Sequence, residues 1–299
     1  TAGTLTGNGS IAIHITGSGL TTGTFPLINF TSASGLANFH LASLPPGVSA
    51  TLATTASSIT LNITSVGKVL AWSGAANANW DTSSVNWFDL NNGYNPTTYS
   101  QSGGFGDLVT FDDSLTGNPN VNLTTAVSPV SITLNNSGSI YTFTGPGKIT
   151  GIGSVVKNGF QSVTFGTAND YSGGTTVNAG NLYLGADQAL GTGPATISFG
   201  AIASDSTTAR TLSNPVVQSA DTGVILGDTV NTGTLTLAGG LDLGGGAGRT
   251  LNFNSDVIIS GSLTNGGVTT KTGPGAMILK GNSTQNVLSS QLQGDVIID

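Results

Sequence analysis

The sequence predicts an all-β protein of stacked short strands, and three observations predict it. Helix builders are scarce: the 299 residues include no Glu, one Met and seven Lys plus Arg, while Thr, Val and Ile, which suit a pleated surface, are abundant. Apolar and polar residues alternate with a period of two in short runs such as SITL, SVTF, NLYL, TLTL and DVIIS, the pattern of strands with one buried face. Glycine, present 45 times, joins Asn, Asp and Ser in turn-forming clusters between these runs.

Residues 1–67 read as alternating strands carried by Leu5, Ile11, Ile13 and Ile15, then Phe25, Leu27, Ile28 and Phe30, then Ile59, Leu61 and Ile63. Gly7, Gly9, Gly17, Gly19, Gly23, Gly35 and the turn Pro45-Pro46-Gly47 separate them. Residues 68–116 differ, because they hold Trp72, Trp80 and Trp87 together with Phe88, Tyr94, Tyr99, Phe105 and Phe111. Residues 117–299 return to short strands with a turn about every ten residues, which fits a sandwich, a barrel or a solenoid. The repeated order of a Gly-x-Gly or Asn-Gly corner, a short apolar strand and another corner favours the solenoid, since a single rung cannot bury its apolar face alone. With roughly 20–25 residues per turn and a rise of about 4.8 Å, such a chain forms a rod on the order of 60 Å long.

Composition bounds function as well. Fourteen acidic residues, all Asp, against seven Lys plus Arg give a net charge of -7, which offers no footprint for nucleic acid or an anionic bilayer. A mean hydropathy of +0.16 argues for a buried core over a disordered linker. Without cysteine there is neither a disulfide framework nor a thiolate metal site. No apolar run reaches the length of a membrane span, and the first residues lack the basic and apolar regions of a secretion signal, so an exported protein would contain this chain as its mature or excised part.

Residues 171–193, YSGGTTVNAGNLYLGADQALGTG, resemble the autotransporter-associated β-strand repeat, also called the passenger-associated transport repeat. The shared pattern rests on Tyr171, Gly173, Gly174, Thr175, Thr176, Val177, Gly180, Leu182, Leu184, Leu190 and Gly191. The preceding GIGSVVKNGFQSVTFGTAND is similar to the lead-in of that repeat, in which a Gly-Ser strand, a Lys and a Gly turn introduce the next strand. The pieces AWSGAANANWD, SSVNW and GDLVTFDD resemble the Trp-rich unit found between such repeats, and FPLINF, LASLPPGVSATL and SSITLNIT resemble a module that closes a β-solenoid unit. The resemblance implies a right-handed parallel β-helix, with an irregular Trp-rich insertion, serving as a bacterial passenger, stalk or fibre at the cell surface. It does not extend to a membrane barrel, whose alternating strands and aromatic girdles are missing here, so no membrane insertion by this chain is expected. The C-terminal GDVIID followed by the N-terminal TAGTLTG reads almost as GTTVN followed by AGNLYLG, which leads us to expect self-association head to tail through the terminal rungs.

Candidate chemistry is thin. His14 and His40 stand on different strands with no carboxylate motif beside them, and no Gly-x-Ser-x-Gly elbow occurs. Asp107, Asp112 and Asp113 are the closest carboxylate group. They are the candidates for a structural Ca site or for a polysaccharide-active β-helix enzyme, but turn capping accounts for Asp107 after Gly106, and Asp112 and Asp113 point to opposite faces of an extended strand. The only arginines, Arg210 and Arg249, lie far downstream. Trp72, Trp80 and Trp87 could stack a glycan in an adhesin, or fill the core where the rungs change character; packing is the stronger reading, and solvent exposure of the indoles would reverse it. Sequons at Asn8, Asn29, Asn62, Asn122, Asn135 and Asn282 follow from the abundance of Asn and Thr, and Gly244-Gly245-Gly246 lacks the Lys of a phosphate loop. The expectation is a structural protein with no catalytic residues and no cofactor.

Overall fold

The structure is a computed structural model that describes residues 2–17, 20–45, 47–102, 105–219, 223–245, 248–266, 268–281, 287–288 and 295–299. Thr1, Gly19, Pro46, Gly246 and Asn282, named above in turns, a sequon or the terminal comparison, lie outside the described residues, as does the side chain of Phe105. The chain divides into two compact units, Thr1–Lys68 and Val69–Asp299.

In the first unit, strand Ala2–Thr6 pairs in parallel with the end of Gly23–Ser34, and Ile11–His14 pairs in parallel with Phe39–Ser43. The rest is an antiparallel meander in which Gly23–Ser34 and Val48–Thr54 flank Ser58–Val66. Along Ser58–Val66 the buried residues Ile59, Leu61 and Ile63 alternate with half-buried ones, the habit of an antiparallel strand with one wet face.

The second unit is a parallel β-solenoid of about eight turns. Its first sheet runs in parallel from Val69–Trp72 through Leu108–Asp112 and Ser131–Asn135 to Leu263–Thr264. Register partners follow the order Leu108, Ser131, Ser154 and then Val155, Thr175, Ala195, Val216, Leu241, Leu263, so successive turns are 23, 23, 20, 20, 21, 25 and 22 residues long. A second sheet stacks strands from Asn79–Trp80 to Val287–Leu288, and a third stacks Arg210–Leu212, Leu235–Leu237, Val257–Ile259, Met277–Leu279 and Val296–Ile298. Period-two alternation supplies the core: Val109, Ile132, Val155, Thr175, Ala195, Val216, Leu241 and Leu263 form one inward ladder, and every member is buried. Parallel stacking in register removes the sandwich and the antiparallel barrel as alternatives.

Two features break the regular stack, and one terminal segment takes a place its sequence does not foretell. The Trp-rich stretch adds Trp87–Asp89 antiparallel to Val69–Trp72, and Asn95–Thr97 antiparallel to Trp87–Asp89, which closes this edge of the first sheet. After the Trp-rich first turn, which runs from Val69 to Leu108, the longest turn, from Val216 to Leu241, carries a loop folded over the second sheet. There Asp228 accepts a 2.8 Å hydrogen bond from the Tyr183 hydroxyl, Gly233 N–H donates to Ser206 O at 2.9 Å, and all four residues of Ala201–Ser204 are buried. Finally, the C-terminal VII of GDVIID pairs with Met277–Leu279 on the third sheet, whereas Thr175–Val177 belongs to the first. The two segments are therefore alike in sequence and different in position around the coil.

Candidate functional site

The three indoles are entirely buried and fill the first turn of the solenoid. Trp80 meets Trp87 and Tyr99 edge-on at 5.3 and 5.6 Å between ring centroids and lies tilted against Phe111 at 5.4 Å, and Trp72 meets Trp87 edge-on at 5.0 Å. Trp72 Nε1 donates to Asn118 O at 2.8 Å. Rings packed on one another in this way present no face to a sugar, and they sit where the sequence changes from antiparallel closure to parallel rungs.

Each carboxylate of the Asp107, Asp112, Asp113 group serves a different turn. Asp107, nearly inaccessible, accepts from the Ser100 N–H at 2.8 Å and from its hydroxyl at 3.0 Å. Asp112 caps Ser114 at 2.9 Å. Asp113 reaches the next turn and accepts from the N–H groups of Ser137, Gly138 and Ser139 at 2.8, 2.9 and 2.9 Å. Partial burial works to raise the Asp113 carboxyl, but these donors outweigh it and hold the group below the usual carboxylate range. Other aspartates also bridge turns, since Asp187 accepts from Thr211 N–H, Asp242 from the Asn265 amide and Asp256 from Ala276 N–H. Among the described residues no group of three or more His, Cys, Asp or Glu is placed to hold a metal ion. Arg210 is bound to Asp205 at 3.1 Å and to Leu184 O, and Arg249 donates to Gly245 O, so both arginines secure corners well along the solenoid from Asp107, Asp112 and Asp113.

The repeat-like segment builds one full rung. Val177, Leu182, Leu184 and Leu190 point into the core, Thr176 faces outward half-buried, and the Tyr171 hydroxyl shares a 2.6 Å hydrogen bond with Thr175 Oγ1 in the interior. Gly191 holds φ +64°, and a β-carbon there would stand 2.2 Å from Tyr171 O, so the corner admits only glycine. Gly173, Gly174 and Gly180 occupy the corners between strands. His14 and His40 lie on adjacent parallel strands, bonded to the hydroxyls of Ser43 at 2.8 Å and Ser10 at 3.4 Å.

Two sets of residues escaped the sequence reading. Lys157 and Lys271 are fully buried at inward positions, Lys157 between Leu134 and Val177 in a ladder and Lys271 beside Leu251. Lys157 Nζ donates to Gly159 O and to Ala179 O at 3.4 Å, and Lys271 Nζ donates to Gly275 O and to Gly273 O at 2.7 Å. Each ammonium thus pins a corner from within. Conversely, Phe160 and Phe199 stand 79% and 66% exposed on the corner between the first and second sheets. No sequence signal separates these rings from core ones except their place beside Gly159 and Gly200.

Over 118 residues, 40% of this chain, the sequence is 33% identical to the Adhesin BmaC autotransporter of Brucella suis biovar 1 (strain 1330), and the match spans 3% of that protein's length. No protein-family model matches the chain. No solved structure matches it significantly.

Proposed function

We propose that this chain is a stretch of a bacterial surface β-solenoid whose task is mechanical, a rigid extracellular stalk or fibre body. The observation that carries the reading is the parallel stack itself, with an inward ladder unbroken from Val109 to Leu263 and carboxylates committed to bridging one turn to the next. Such a stack pairs its backbone polar groups along its length, which makes a stiff rod that resists proteolysis. The likeness to an autotransporter adhesin of Brucella suis and the repeat-like segment 171–193 both support a surface location. The reading assigns the chain no catalysis. Antibodies raised against the solenoid should label intact cells of the source bacterium; labelling that appears only after permeabilisation would refute the surface assignment.

The finer part of the proposal is that rungs continue beyond this chain, through head-to-tail self-association. Strands Ala2–Thr6, Ile11–His14 and Val296–Ile298 each have one pairing neighbour among the described residues, and Ile298 is 79% exposed at the last of these. An open strand edge with apolar side chains is a template for another strand. Sedimentation across a wide concentration range, with negative-stain images, tests this: linear polymers support stacking of copies, and compact monomers at every concentration overturn it.

A further inference from the structure

We infer that the corner between the first and second sheets is a binding site for an extended, neutral β-1,4-linked glycan lying along the solenoid axis. Phe160 and Phe199 project from this corner on turns two apart, with Ala179 and Gly180 on the turn between them. Both rings are largely exposed, although burying an aromatic ring is among the most favourable uses of a side chain in a fold of this kind. Two rungs separate them by roughly 9.6 Å along the axis. That distance is close to the spacing of sugars that face the same way in an extended, two-fold β-1,4-linked chain. The small residues between the rings leave room for the intervening sugar.

Polar groups run beside the rings. Asn178 Nδ2 donates to Asn158 Oδ1 at 2.8 Å, Ser198 Oγ donates to Asn178 Oδ1 at 3.1 Å, and Ser198 and Ser219 share a 2.7 Å hydroxyl contact. This ladder of amides and hydroxyls carries no charge, so the ligand it suits is neutral. Beyond Phe199 a cleft of about 300 Å³ continues along the axis, lined by Phe199, Gly223, Ile225, Thr250, Asn252 and Thr272. Flat apolar faces for the C–H faces of sugar rings, flanked by hydroxyls and amides for their edges, are the chemistry of saccharide recognition. A second protein copy fits less well. Two phenyl rings supply at most about 400 Å² of contact, about half of what one side of a stable protein interface buries.

The test is calorimetric titration of the whole chain with cellohexaose and chitohexaose, with the coiled α-linked maltohexaose as a shape control. Wild-type protein should bind a β-1,4-linked hexamer in preference to maltohexaose. Phe160→Ala and Phe199→Ala should each weaken binding about tenfold, and Asn252→Ala should weaken it less. The rings are exposed, so circular dichroism and thermal unfolding should match the wild type and exclude misfolding as the cause. Failure of both β-linked hexamers to bind, equal affinity in the phenylalanine variants, or a change of oligomeric state in their place would overturn the inference. None of these results bears on the stalk reading, which the surface-labelling experiment decides by itself.

Discussion

Lys157 Nζ lies 2.8 Å from the point where a β-carbon on Gly180 would stand. The buried ammonium and the missing side chain are two halves of one corner: the lysine reaches carbonyls of its own turn and the next, and the glycine leaves it space. Gly180 also holds φ +67°, and its β-carbon would come within 2.5 Å of Gly159 O. Gly180→Ala should therefore lower unfolding free energy by about 2 kcal/mol or more. Gly245→Ala, at φ +73° with open space around it, should cost only about 1 kcal/mol. Urea denaturation of both variants checks the difference, and equal losses would show that the contact with Lys157 contributes nothing.

Burial draws the Lys157 ammonium down to about 8 from its usual 10.5. Between those values the unfolded chain holds a proton that the native chain has released, so stability rises with pH across this window, by roughly 1.4 kcal/mol per pH unit at most. Above pH 10 the sense reverses. Burial raises the phenols of Tyr141, with Asp112 and Asp113 adding to it, and of Tyr171, so the native chain keeps protons that unfolded tyrosines give up. Urea midpoints measured from pH 7 to 11 should pass through a maximum near 10. Lys157→Met should flatten the rising limb and leave the falling limb in place.

At the acid end Asp113 gives the same sign as Lys157, with stability rising as pH rises. A carboxyl held below its usual range contributes stability above that range and loses it as pH falls. Asp113→Ala deprives the N–H groups of Ser137, Gly138 and Ser139 of their acceptor and should cost about 1 kcal/mol at neutral pH, as loss of a helix N-cap does. The deficit relative to wild type should shrink as the pH is lowered, and a constant deficit would point to packing over charge.

Because all three indoles are inaccessible, iodide should leave tryptophan fluorescence unquenched until the protein unfolds. Trp87→Ala should destabilise the second unit by about 3–5 kcal/mol through the cavity it leaves. Trp87→Phe should cost less, since Trp87 Nε1 has no hydrogen-bond partner to lose.

The solenoid was legible in the sequence because its two determinants are local. Alternation at Val109 and Phe111, or at Leu182 and Leu184, fixes which face is inward, and the Gly-rich corners fix where strands stop. The turn length of 20–25 residues followed from the same signals. Position around the coil did not. VII at 296–298 and TTV at 175–177 are both short β-branched runs, and only their stacking partners assign them to the third and first sheets. Buried Lys157 was hidden for a related reason, since a lysine among apolar residues reads as an outward position unless the carbonyls that receive its ammonium are known. Phe160 and Phe199 were hidden by the converse, because a phenylalanine next to glycine reads as core filler.

Beyond the Trp-rich first turn, turn lengths vary from 20 to 25 residues while the strands keep strict register. Additional sequence is thus absorbed at the bends and leaves the ladder untouched, as the segment around Asp228 demonstrates. A lineage can accordingly graft, trim or exchange decorations turn by turn without renegotiating the foundation beneath them. Novelty in such a protein is expected to accumulate at its bends and to spare its ladder.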